Sequence, residues 1–163
     1  MPAEPELSEP LMSYDEWLES PARMLFLRPS MYAVNSRLDC VESYLHGFDH
    51  GHPRGLLNGF REWLDLELGY IGSSAAVRYR LISHIRPEWE DSDLLDPELE
   101  KTVLAEYLRV LDKFIAERTE FGLADILKRQ QTFEKEYRTM RRAEWAARSA
   151  EEDGGEPDDV ETV

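Results

Sequence analysis

Cysteine is all but missing from this chain. Cys40 stands alone, which rules out an intramolecular disulfide and suits a reducing compartment. No apolar run approaches the roughly 20 residues that a membrane-spanning helix needs. The opening stretch, MPAEPELSEP, has neither the basic start nor the apolar centre of a secretory signal. These absences lead us to expect a cytoplasmic protein with no membrane partner. Catalytic signatures are missing as well: there is no Gly-rich phosphate loop, nucleophile elbow, zinc-finger spacing or HExxH. DSDLLDPE has the acids of a calcium loop without its turn glycine or its regular ligand positions. We therefore assign no catalytic residue and no cofactor.

Bases are too few to balance the acids. The formal net charge is −15, which disfavours nucleic acid and anionic membranes and leaves a basic protein as the electrostatically favoured partner. The imbalance sits at the ends. Residues 1–20 carry six acids and no base, and residues 151–163 carry seven acids and no base. Between them, 21 acids face 19 bases. Residues 1–12 and 150–163 are therefore expected to be disordered acidic ends around a domain spanning 13–149.

What is present is helical periodicity. With 42% apolar residues over 163 positions, the chain can build one real core. Ser13 with Glu16 reads as a capping box, and Ser20-Pro21 reads as a second helix start. Pro29 forces Arg28 out of the helix, and RPSMYAVNS is expected to be a connector with Met31 and Tyr32 in the core. Ser36 is expected to cap a helix from Arg37 to about His50. Leu38, Val41, Leu45 and Phe48 form its inner face, Gly47 marks a close approach, and Gly51 is the stop. Further helices are expected over Gly55–Leu68, stopped by Gly69, and from Ser74 through Ile85. Asp96-Pro97 opens the strongest amphipathic stripe, with Leu99, Val103, Leu104, Tyr107, Leu108, Leu111, Phe114 and Ile115. After Gly122 a last long helix runs to about Ser149, with Ile126, Leu127, Phe133, Tyr137 and Met140 facing inward. No strand pattern or repeat competes. The expected fold is all-α: a single-domain bundle of five or six helices with a long C-terminal helix.

Three of the four histidines lie in YLHGFDHGHPRG. His46 and His50, four apart, share a helical face, and His52 follows, so all three are weak candidates for a metal site. At about 100° per residue that face points away from the apolar stripe and is shared with Asp39, Glu42 and Ser43. The histidines are therefore expected to face water near a helix end, and no metal is assigned. Cys40 reads as a packed thiol. Lys135, Arg138, Arg141, Arg142 and Arg148 make the last helix basic, but Glu134, Glu136 and Glu144 are interleaved. A solvated charged face is expected there rather than a nucleic-acid site.

The most suggestive surface is RPEWEDSDLLDPELE. Acids steer a basic partner and an aromatic anchors it, so Glu88, Trp89, Glu90, Asp91, Asp93 and Asp96 are the expected partner-binding residues. The opposing expectation is an ordinary polar loop with Trp89 folded onto the core.

Five short motifs carry a resemblance. They are Trp17, Arg28-Pro29-Ser30-Met31-Tyr32, Tyr44-Leu45-His46-Gly47-Phe48, Phe60-Arg61-Glu62-Trp63-Leu64 and Leu111-Asp112-Lys113-Phe114. Over roughly residues 14–120 the chain resembles an uncharacterised family of small bacterial, chiefly actinobacterial, proteins with an RPxMY motif. The resemblance makes Arg28, Pro29, Met31, Tyr32 and Gly47 structural-motif residues and implies a toxin-associated, immunity-protein-like role. RPSMY is also similar to a segment of type II topoisomerase ATPase domains, but the Mg-ATP motif, the Gly-rich lid and the strands of that fold are absent. The expected function is a non-enzymatic immunity or antitoxin-like inhibitor of a basic protein partner. The alternative is a helical scaffold or homo-oligomer joined through the C-terminal helix, and the third reading is an enzyme using metal or thiol chemistry.

Overall fold

The computed structural model describes residues 11–32, 37–52, 55–71, 76–90 and 96–153. Among them are eight helices and no strand: α1 (Tyr14–Glu19), α2 (Pro21–Leu27), α3 (Pro29–Tyr32), α4 (Leu38–Gly51), α5 (Phe60–Leu68), α6 (Val77–Ile85), α7 (Pro97–Phe121) and α8 (Leu123–Asp153). The fold is all-α, with a long C-terminal helix.

The start signals work as local chemistry predicts. Glu16 accepts from the Ser13 backbone N–H at 2.8 Å, and Ser13 Oγ accepts in return from the Glu16 N–H at 3.4 Å. Ser20 Oγ accepts from Arg23 N at 3.1 Å to open α2, and Asp96 accepts from Glu98 N at 3.0 Å to open α7. Gly69, at φ 71°, closes α5 in the left-handed conformation that glycine takes without strain.

Other boundaries differ from expectation. RPSMY is no connector: Pro29 starts the single turn of α3, and Met31 is 67% exposed rather than buried. Ser36 and Ser74 lie outside the described residues, and Arg37 and Ala76 stand at the N-caps of α4 and α6. Gly47 has open space where a Cβ would stand, so no helix among the described residues approaches it closely. Gly51 is still helical, and His52 caps α4. The helix expected from Gly55 starts only at Phe60. Gly59, at φ 82°, is left-handed, and the Leu123 side chain occupies the place its Cβ would need. Met12 is buried, and its carbonyl accepts from Arg118 Nη2 at 3.0 Å. The core therefore reaches into the stretch expected to be disordered. α8 runs to Asp153, past the expected boundary at 150, since Ala150, Glu151 and Glu152 are good helix formers. Residues 1–10 and 154–163 lie outside the described residues.

α7 is the axis of the bundle, packing on α1, α2, α4, α5, α6 and α8. Its Tyr107 and Phe114 meet Phe60 at ring-centroid distances of 6.1 and 5.2 Å, and Trp63 lies 5.8 Å from Phe114. Trp17, fully buried, donates through Nε1 to Asp112 at 2.6 Å, and Arg23 grips the same carboxylate at 3.1 and 3.3 Å. One acid of α7 thereby ties down α1 and α2. α8 packs on α5 and α7.

Candidate functional site

Of the acidic segment, residues 86–90 follow α6 as a short turn, and the tryptophan in them is tied down. Trp89 stacks on Tyr79 with centroids 6.0 Å apart and planes 18° apart, and its Nε1 donates to Ser83 Oγ at 2.8 Å. Glu88 and Glu90 are exposed. Asp96 caps α7 and lies 3.6 Å from the Arg86 guanidinium. Asp91 and Asp93 lie outside the described residues, so the expected partner-binding set is brought together only in part. Of the motif residues, Arg28 caps the end of α2 and Pro29 begins α3, while the Tyr32 side chain lies outside the description.

His46 and His50 are exposed on α4, as their helical face predicts, and His52 stacks on Phe48 at 5.2 Å. No three His, Cys, Asp or Glu side chains among the described residues gather as a metal site. Cys40 is a half-buried free thiol. Glu42 departs from the expected solvent face: it is 3% exposed. Its Oε1 accepts from the Arg78 backbone N–H at 3.3 Å and its Oε2 from Arg78 Nη1 at 2.9 Å, because α6 lies across that side of α4.

Other buried polar groups passed unnoticed in the sequence. Arg118 is 4% exposed with no carboxylate bonded to it among the described residues. Its Nη1 donates to the carbonyls of Gly55, Leu56 and Asn58, at 3.1, 2.9 and 3.2 Å. With the Met12 carbonyl, four backbone acceptors hold it. Burial pushes its pKa down to about 10, with the Asp49 carboxylate opposing the shift, so it stays charged near neutral pH. The Asp65–Arg80 pair, at 2.7 Å, lies beneath α8, where Gln130 donates to Asp65 at 3.3 Å. These groups fasten elements together. Their only sequence signal is a polar residue out of phase on an otherwise apolar face.

Two further features could serve a partner or ligand. The distal part of α8 leaves the body: Ile126 is buried, Phe133 and Tyr137 are half-buried, Met140 is 49% exposed and Trp145 is 73% exposed. Lys135, Arg138, Arg141, Arg142 and Arg148 are all exposed there; Arg138 pairs with Glu134, and Arg141 with Glu144 at 3.0 Å. The second feature is a cavity of ≈ 310 Å³ between α4, the start of α5 and the start of α6, closed by Tyr107 of α7. Among the described residues no helix is long and apolar enough to cross a membrane. No family model, curated protein or solved structure matches the chain.

Proposed function

We propose that this chain is a non-enzymatic binding protein, a helical scaffold whose working surface is the distal part of α8, and that this surface pairs with α8 of a second copy. The observation that carries the reading is Trp145, 73% exposed on a helix that, among its described side chains, buries nothing beyond Ile126. A large aromatic held in water by a rigid helix is an interface residue in waiting. Charge favours a second copy as the occupant. The basic stretch from Lys135 to Arg148 is followed at once by acids at 151–153 in the same helix. An antiparallel crossing sets the basic stretch of each copy against the acidic end of the other, as a two-fold interface requires. A cytoplasmic setting suits the free thiol of Cys40.

Sedimentation velocity of the full chain tests this. A dimer at low salt that dissociates as salt is added is the expected result, because screening weakens exposed charge pairs. Trp145→Ala and Arg142→Glu should each shift the equilibrium toward monomer at unchanged helicity. A monomer at about 100 μM and low salt, where even a weak pair would form, would sink the reading. A second reading, inhibition of a basic protein at the acidic turn, draws support from the exposed Glu88 and Glu90. Its aromatic anchor is engaged by Tyr79 and Ser83, which makes it the weaker of the two. Glu88→Gln with Glu90→Gln leaves the dimer intact if α8 is the contact.

A further inference from the structure

A groove of ≈ 670 Å³ lies between the end of α2, the start of α3 and the first half of α7, and no described α8 residue lines it. Phe26, Leu27 and Pro29 form one side, and Leu104 and Leu108 form the other. On α7 the lining falls at 101, 104, 105 and 108, one face at helical spacing. Leu27 is 49% exposed, and Met31, in the same short helix as Pro29, is 67% exposed. Two residues of the RPSMY motif, Arg28 and Met31, thus stand in water beside an apolar groove. Large apolar side chains gathered in water mark a docking surface. The local charge is chiefly positive. Arg37 and Lys101 line the groove, and exposed Arg28 stands between Leu27 and Pro29 in the chain. Glu100 is the one acid among the described lining residues, and it already accepts from the Leu38 N–H at 3.3 Å where α4 begins. Asp39 lies 3.2 Å from Arg37, whereas Arg28 and Lys101 have no ion pair among the described residues. Those two cations are left for a partner.

We propose that this groove docks an acidic amphipathic helix of another protein, its apolar face on Leu27, Leu104 and Leu108 and its carboxylates toward Arg28 and Lys101. A groove between two helices receives the apolar face of a third, and the described residues offer no strand edge for an extended peptide to join. Charge sets the sign of the occupant. Distal α8 of a second copy is basic and is repelled by the same cations, so the groove and α8 take different partners.

The test is an NMR titration of the isotope-labelled full chain at physiological salt with two synthetic helical peptides. One carries leucines at i, i+3, i+4 and i+7 with glutamates on the flanks; the other has lysines in place of the glutamates. The acidic peptide should give saturable shifts at the Leu27, Lys101 and Ala105 amides and bind about tenfold more tightly than the basic one. Arg28→Glu with Lys101→Glu, both at exposed positions, should reverse that preference. Equal affinity of the two peptides for the parent, or no saturable shift at about 1 mM acidic peptide, overturns the proposal. Ala105→Trp blocks the groove with every charge in place, at an exposed helix position that leaves the fold intact, and should abolish binding. Unchanged binding in that variant, or shifts confined to residues 135–148, would put the peptide on basic α8 or elsewhere and overturn the groove as its site. Without peptide, Ala105→Trp should leave the amides of residues 1–10 and 154–163 unmoved. Shifts there would show the chain's own acidic ends in the groove and overturn a foreign partner.

Discussion

The two longest helices meet at Gly122 and lead different lives. α7, with 25 residues, buries Leu99, Val103, Tyr107, Val110, Leu111, Phe114, Ile115 and Arg118. α8, with 31 residues, buries only Ile126 among its described side chains. Both carry apolar residues at helical spacing over their first turns. In α7 the spacing persists for five turns, and six other helices close around it. In α8 it runs through Phe133, Tyr137 and Met140 and then meets Glu144, and the main packing is against α5 and α7. Periodicity chooses a face; neighbours decide whether that face becomes core.

The sharpest way to break this contrast is to truncate one large side chain on each helix. Phe114→Ala should cost about 3–5 kcal/mol, as deletion of a buried aromatic does, and Met140→Ala less than about 0.5 kcal/mol. Urea unfolding at high salt and low protein concentration, where an α8 pair is released, compares them for the isolated chain. Similar losses in the two variants would mean that distal α8 is covered by the body in solution, and the contrast would fail.

A smaller effect should come from Arg118, the one charged residue on the buried face of α7. Arg118→Met removes an unpaired buried cation but strands carbonyls of Gly55, Leu56, Asn58 and Met12. Relief of desolvation offsets part of that loss, which leaves a net cost of about 2–3 kcal/mol. Hydrogen exchange should show the damage in the 55–59 turn and at Ser13, which follows the stranded Met12 carbonyl, with α8 beyond Tyr137 unchanged. Faster exchange confined to α8 would contradict the clamp.

Much of the scaffold was legible because it rests on local rules. The caps at Ser13, Ser20 and Asp96, the stops at Gly69 and Gly122 and the α7 stripe each depend on residues within a turn of one another. What escaped was set by contacts distant in sequence. Glu42 reads as a surface acid until Arg78 of α6 lies on it, and Gly55–Leu68 reads as one helix until Leu123 takes the space beside Gly59. Trp89 shows the same limit at the site. Its acidic neighbours suggested an anchor held out to a partner, and Tyr79 and Ser83 hold it down. Tyr107 was legible as core, but that its hydroxyl has no partner among the described residues is a property of the assembled bundle.

The smallest predicted difference compares the same i,i+3 ion pair on the two helices. Glu106 and Arg109 on α7 meet at 2.7 Å with Glu106 20% exposed, whereas Arg141 and Glu144 on α8 meet at 3.0 Å with both side chains well exposed. The Arg109 hydrogen bond, with the charges of Arg109 and His84, holds the Glu106 carboxyl below its ordinary 4.5 against the opposing pull of burial. A carboxyl whose folded pKa is depressed stabilises the fold fully above its unfolded value and loses that contribution as pH falls through the folded value. Because Arg109 is half-exposed, solvent screening limits the gain to about 0.5 kcal/mol. Glu106→Gln should therefore lower stability by about that much at about pH 7, and its gap to the parent should close by about pH 3. Glu144→Gln should change nothing measurable at about pH 7, as for most exposed pairs. Urea midpoints at the two pH values decide the matter. An undiminished Glu106→Gln gap in acid would assign the loss to packing of the side chain stem, and the two helices would then differ in shape alone.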